Sequence, residues 1–297
     1  MTGTETPDPR FADIDRWPTI DAVTAMIDGQ ADAIDAIRSQ AGAIAGAAEA
    51  AAAVLKAGGR IAYAGAGTSG RIAVQDGVEL GPTFGWPEAR LVYLMAGGTD
   101  ALMHSAEGAE DDADAARAGV ADDDIGTGDV LIGVAASGRT RFTISAIAAA
   151  RTAGALTISI ANNADTPLLA AADHAIVAST GSEIIAGSTR MKAGTAQKAI
   201  LNILSTAIML RLGRVYRGLM VDMVISNEKL LGRAHGIVRA IANCPDDVAI
   251  RAVEASGHDI KVAVLIALGH SADNARALLA AHDHILRDAL EAASVSK

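Results

Sequence analysis

Three stretches of this chain combine glycine with hydroxyl side chains in a way that suits a phosphate. They are Gly65-Ala66-Gly67-Thr68-Ser69-Gly70-Arg71, Ala136-Ser137-Gly138-Arg139-Thr140 and Gly187-Ser188-Thr189-Arg190-Met191-Lys192. Thr68, Ser69, Ser137, Thr140, Ser188 and Thr189 offer donors, Arg139 joins them in the second stretch, and Lys192 adds a charge to the third. Each stretch is expected to run into a helix, whose free N–H groups and dipole favour an anion. One Gly/Ser loop after a strand is commonly just a turn and a cap. Three at the same end of one sheet point to a phosphate site.

Carboxylates supply the other half of a possible chemistry. Glu79 is flanked by Val78 and Leu80 and followed by Gly81-Pro82, so it is expected to sit in a fixed bend with some burial, a setting that suits a general acid. Glu107 and Glu110 stand in an acidic run with Asp111, Asp112 and Asp114, which on its own is most simply a solvated helix start. Glu183, just before the third loop, reads equally as an acceptor for sugar hydroxyls or as a structural group. His104 is expected one turn before Glu107 on a shared helix, as a surface or core residue. His282 and His284, two residues apart, do not share a helical face, and no metal site is expected there.

Gly65, Gly67 and Gly70 also match the glycine spacing of a dinucleotide-binding turn. Such a site wants an acid at the end of the second strand for the ribose hydroxyls. Here that strand ends in Met95-Ala96-Gly97-Gly98, and Thr68 and Ser69 put hydroxyls where a monophosphate would use them. The monophosphate reading is the better one.

These loops need a rigid frame. Short apolar runs at 60–65, 91–97, 129–136, 155–161 and 174–179 are expected as strands, with helices at 69–79, 101–118 and 140–153 between them. That alternation predicts an α/β fold with a five-stranded parallel sheet covered on both faces, binding ligands at the carboxyl ends of its strands. Alanine-rich helical sequence fills 19–57, and a long buried helix is expected over 190–212, with Ile200, Ile203, Leu204, Ala207, Ile208 and Leu212 on one stripe. Three short helices are expected in 245–297. The division expected is 1–57 as N-terminal arm and helices, 58–240 as the sheet domain, and 241–297 as a small bundle.

Composition narrows the function further. Of 297 residues 51% are hydrophobic, 20% charged and only 3% aromatic, and the net charge of −10 argues against nucleic-acid binding. The single cysteine, Cys244, excludes an internal disulfide framework. No basic-then-apolar leader opens the chain, and no run reaches the roughly 18 apolar residues of a membrane span. A cytoplasmic setting is expected.

The blocks GAGTSGRIAVQDGVELGPTFG, MAGGTDALMHSAEGAEDD, GVAASGRT, GSTRMKAGTAQKAILNILST and LMVDMVISNEKL resemble, in order, the signature blocks of the N-acetylmuramic acid 6-phosphate etherases. They span about 60–235, and Asn227 and Glu228 fall in the last. The resemblance implies a sugar-isomerase (SIS) fold, a three-layer αβα sandwich. It also implies release of D-lactate from C3 of N-acetylmuramic acid 6-phosphate by elimination and then addition of water. Glu110 matches the base and Glu79 the acid, with no metal or organic cofactor, and the relatives suggest a homodimer. The glucokinase regulatory protein shares the architecture without turnover, so a non-catalytic sugar-phosphate sensor is the second reading. Retention of both glutamates favours the enzyme.

Overall fold

A computed structural model describes residues 3–295 of the protein. After an arm with short 3-10 turns, α1 (Thr19–Arg38) and α2 (Ala41–Lys56) lead into β1 (Ile61–Gly65). Then follow α3 (Gly67–Phe84), β2 (Leu91–Met95), α4 (Ala113–Asp122), β3 (Val130–Val134), α5 (Arg141–Thr152), β4 (Leu156–Ala161), α6 (Pro167–Ala171), β5 (His174–Val177) and α7 (Lys192–Arg211). All five expected strands form. They pair in parallel in the order β2-β1-β3-β4-β5. Every residue of β1 and β3 is buried, as a strand covered on both faces requires. The order reverses at β1, so the chain leaves neighbouring β1 and β3 in opposite directions and opens a crevice above their carboxyl ends.

Two compact units divide the chain: Met1–Val78 with Ala89–Ile208, and Glu79–Glu88 with Met209–Lys297. The first holds the sheet. Ala62, Ala64 and Leu131 pack on one face against Val120 of α4, Phe142 and Ile147 of α5 and Leu168 of α6. On the other face Gly77 of α3 lies so close to the sheet that a methyl there would come within 2.7 Å of the Tyr93 ring. Beside it, the Tyr63 hydroxyl donates to Asp76 Oδ2 at 2.9 Å, and Asn202 Nδ2 donates to Asp76 Oδ1 at 2.6 Å. This ties α3 to β1 and α7. Burial pushes the Asp76 carboxyl above its ordinary range, against the pull of those hydrogen bonds. At the start of β1, Arg60 forms a two-pronged pair with Asp129 at 2.7 and 3.2 Å, and its own N–H donates to the same carboxylate at 2.9 Å.

The second unit contains β6 (Val215–Tyr216) paired with β7 (Leu219–Met220), then α8 (Glu228–Ala242), α9 (Asp246–Ser256), α10 (Ile260–Ala267), α11 (Ala272–Ala281) and α12 (Leu286–Val295). Their core gathers Val238, Val253, Val264, Leu265 and Leu279. Lys261 enters this core only 5% exposed, its Nζ 2.6 Å from Asp222 Oδ2 and donating to the His284 carbonyl at 2.8 Å. Burial holds the Lys261 ammonium below its ordinary range despite Asp222.

The structure departs from the expected elements in three places. Residues 101–118 do not form one helix. Thr99–Leu102 and Ala109–Asp111 are separate 3-10 turns, and α4 begins only after Asp112, whose side chain accepts from Ala115 N at 2.8 Å. Gly108, left-handed at φ +73°, breaks the helical path between the turns, so His104 and Glu107 share no helix face. The stripe on α7 is not wholly buried either, because Ile203 is 49% exposed. Finally, four helices rather than three fill 246–295. The extra start is capped by Asp259, which accepts from Val262 N at 3.0 Å.

Candidate active site

The crevice above β1 and β3 holds a polar cavity of about 470 Å³. Its first wall is the turn from β1 into α3, where Ala66, Gly67, Thr68 and Ser69 line the space. Gly65 and Gly70 set this turn. A methyl on Gly65 would lie 2.7 Å from Gly70 Cα, and one on Gly70 would meet Met95 Sδ at 2.5 Å. Gly67 takes φ +52°. The glycine spacing is therefore explained by main chain packed on main chain, which brings the N-terminus of an 18-residue helix to the cavity.

The second wall is the turn from β3 into α5, contributing Ala136, Ser137, Arg139 and Thr140. Ser137 Oγ accepts from Arg139 N at 3.1 Å, which curls this turn around the space. Gly138 is left-handed at φ +63°, and its Cα faces Thr166 so closely that a methyl would lie 2.2 Å from Oγ1. From the loop before α7, only Gly187 and Thr189 reach the cavity. Six of the nine residues expected to hold substrate thus come together here: Thr68, Ser69, Ser137, Arg139, Thr140 and Thr189.

Glu183, Ser188 and Lys192 are not among the lining residues. Glu183 is fully buried, and its two carboxylate oxygens accept from Lys192 N and Ala193 N, each at 2.9 Å. It caps the start of α7. Lys192 is 7% exposed, and its Nζ donates to the Ser182 carbonyl at 3.3 Å.

Glu110 lines this cavity and also a neighbouring polar one of about 300 Å³, shared with Arg71, Ser105 and Glu107. Arg71 was not singled out as a ligand-site residue by sequence, yet it fixes this segment. Its Nε donates to the carbonyls of Ala101 and Leu102 at 3.0 and 3.1 Å, and its Nη2 to that of His104 at 3.1 Å. Asp111 and Glu5, whose local sequence carries no signal for a ligand site, also line the larger cavity.

Glu79 belongs to the second unit, near the end of α3. It is exposed, not partly buried, and it sits within continuous helix, not at a bend. Pro82 lies inside the helix, which ends only at Gly85, left-handed at φ +61°. Arg214 Nη1 donates to the carbonyls of Phe84 and Gly85, both at 3.1 Å, and closes that end.

A doubly wound parallel sheet with hydroxyl- and glycine-lined turns around a polar cavity at its switch point is the architecture of a SIS domain. Accordingly, the SIS domain profile matches residues 111–207, and that of the glucokinase regulatory protein N-terminal SIS domain matches 43–151. A phosphosugar isomerase assigned to capsule formation in Bacteroides fragilis superimposes with a TM-score of 0.52 at 22% identity, covering 68% of this chain and 95% of that one. That likeness speaks to the fold alone. The sequence relatives are nearer. The N-acetylmuramic acid 6-phosphate etherase of Deinococcus radiodurans is 46% identical over 273 residues, 92% of this chain and 90% of its own length. Those of Streptomyces coelicolor and Salmonella choleraesuis are 44% and 41% identical over 96% and 97% of this chain, and 92% and 97% of their own. The chain belongs to the N-acetylmuramic acid 6-phosphate etherase family.

Proposed function

We propose that this protein cleaves the D-lactyl ether of N-acetylmuramic acid 6-phosphate, giving N-acetylglucosamine 6-phosphate and D-lactate. The observation that carries the reading is Glu110 on the wall of the cavity that the glycine- and hydroxyl-rich turns after β1 and β3 also line. The phosphate is a remote handle. Backbone N–H groups, hydroxyls and Arg139 hold it, and that binding energy places the sugar carbons for reaction.

In the open-chain sugar the C1 carbonyl acidifies the proton on C2. Glu110 takes that proton, the electron pair forms the C2–C3 double bond, and the C3–O bond breaks. An alkoxide is a poor leaving group, so the departing lactate oxygen needs a proton, and the family resemblance gives that role to Glu79. Water then adds at C3 with its proton passing to the same acid–base group, and C2 regains a proton from Glu110. Each carboxyl ends in the state in which it began. An isomerase would also start at the C2 proton, and the acid for the ether oxygen separates the two chemistries.

The setting we propose is a cytoplasmic homodimer that returns cell-wall amino sugar to metabolism. No helix among the described residues is long and apolar enough to cross a membrane. On α1, Ile20, Val23, Ile27 and Ile34 stand exposed along one helical stripe, which suits a subunit contact.

The test is D-lactate release from N-acetylmuramic acid 6-phosphate by the wild type, Glu79→Gln and Glu110→Gln. Lactate from the wild type and at least about a hundredfold less from each variant is expected. Binding without lactate release by the wild type would move the protein to the sensor reading.

A further inference from the structure

The arm that precedes α1 runs into the candidate site. Thr4 is fully buried, and its polar groups are all engaged. Its N–H donates to Asn163 Oδ1 at 3.3 Å, its Oγ1 accepts from Asn163 Nδ2 at 3.1 Å, and its carbonyl accepts from Gly187 N at 3.1 Å. Asn163 Nδ2 also donates to the Ala136 carbonyl at 2.9 Å, so Thr4 is clamped to the cavity's own second wall. The next residue, Glu5, lines the cavity with Thr68, Ser69, Ser137 and Arg139. The strap passes Gly187 closely: a methyl on that glycine, already left-handed at φ +75°, would lie 3.1 Å from Glu5 Oε2. No hydrogen bond among the described residues engages the Glu5 carboxylate.

From this geometry we infer that Glu5 is a specificity-determining residue that reads the sugar half of a bound sugar phosphate. This rests on the reading of the cavity as a phosphate cradle. A carboxylate only accepts hydrogen bonds, and so does a phosphate dianion. Glu5 therefore cannot hold the phosphate, and two anions sharing one cavity repel. The complementary group is a donor on the same ligand, a hydroxyl or amide N–H of the sugar. The phosphate goes to the N–H, hydroxyl and Arg139 side, and the sugar donor goes to Glu5. The cradle thus discriminates by sign: a bare anion meets the acid unrewarded, whereas an anion bearing a polyol brings its own donors. Anchoring of Thr4 fixes the backbone from which the Glu5 side chain extends, which lowers part of the entropic cost of that contact.

The experiment is calorimetric titration of the full chain with N-acetylglucosamine 6-phosphate and, separately, inorganic phosphate, for the wild type, Glu5→Gln and Glu5→Ala. Loss of a hydrogen bond to a charged acceptor is expected to raise the Kd for the sugar phosphate about ten- to a hundredfold in Glu5→Ala, and less in Glu5→Gln. Inorganic phosphate is expected to bind both variants as well as the wild type or better, because the repulsion is gone. Equal weakening of both ligands would reduce the strap to a shaping element and overturn the proposal. Unchanged sugar-phosphate binding would overturn it too, while leaving the cradle reading intact. A wild type that binds neither ligand would sink the cradle reading and this proposal together. Unfolding midpoints of the three proteins, expected to coincide because Glu5 is exposed, separate recognition from folding.

Discussion

Arg71 donates from Nε to the Ala101 carbonyl at 3.0 Å, and so binds the helix of the phosphate turn to the irregular segment that carries Glu110. The same guanidinium takes the carbonyls of Leu102 and His104. This segment has no regular ladder to hold it, and three of its carbonyls are satisfied by one side chain from α3.

Replacing Arg71 with Met should therefore loosen Glu110 relative to the cradle. The expected result is a fall in kcat of about ten- to a hundredfold with a smaller change in KM, because misplacement costs the chemical step more than it costs phosphate binding. Lys reaches one carbonyl at most and should rescue only in part. Steady-state lactate release checks both variants.

Glu183 makes a sharper case, because the sequence allowed two roles for it. Its buried carboxylate caps α7, so Glu183→Ala should cost about 1–3 kcal/mol by leaving two buried N–H groups without an acceptor. Urea titration reads that loss. If Glu183→Ala instead kept full stability and lost sugar-phosphate affinity, the capping role would be wrong.

The Arg60–Asp129 pair gives a pH dependence. Burial pushes the Asp129 carboxyl up, but the Arg60 side chain and the N–H groups of Arg60 and Gly126 outweigh it and hold the group below its ordinary range. A carboxyl depressed on folding contributes stability that is complete above its unfolded pKa and is lost as pH falls through the folded value. Asp129→Asn should accordingly lower stability near neutrality and flatten the acid limb of the stability profile. Parallel limbs for variant and wild type would remove Asp129 from the account of acid unfolding.

In the second unit, Lys261→Met should cost about 1–3 kcal/mol, because it removes the nearer cation from the Asp222 carboxylate and leaves only Arg214 Nε, 3.7 Å away. Lys261→Met combined with Asp222→Leu should recover most of that loss. Thermal unfolding of the single and double variants checks this. A double variant no better than the single would mean the pair contributes more than mutual compensation.

Much of the sheet could be read in the sequence, since fully buried parallel strands leave near-continuous apolar runs such as Leu131-Ile132-Gly133-Val134, too short for a helix and too apolar for a loop. The turns after β1 and β3 followed from them, and with them five of the side chains that line the cavity. What stayed hidden depends on approach in space. Nothing local to Glu183 says that its oxygens meet the start of α7 nine residues on. Nothing near Glu5 says that Asn163, 159 residues from Thr4, will anchor the strap. The expected break at Gly81-Pro82 failed because a proline in the last turn of a helix forfeits only one interior hydrogen bond, and the left-handed stop lay at Gly85. The helix expected over 101–118 failed at Gly108, whose positive φ no helical periodicity reveals.

The contact between Gly65 and Gly70 bears on how the inner wall of the cradle can vary. Where helix meets strand there are no rotamers to flip, no methyl to trim and no void to fill. The spacing between the two backbones is as hard as the peptide units themselves. Thermal breathing and neutral drift in the surrounding core must be absorbed elsewhere, and a ligand seated on this wall meets a fixed datum. Retuning for a differently shaped sugar phosphate would have to come from the softer rim: the Arg139 turn, the segment around Glu110 and the strap that carries Glu5.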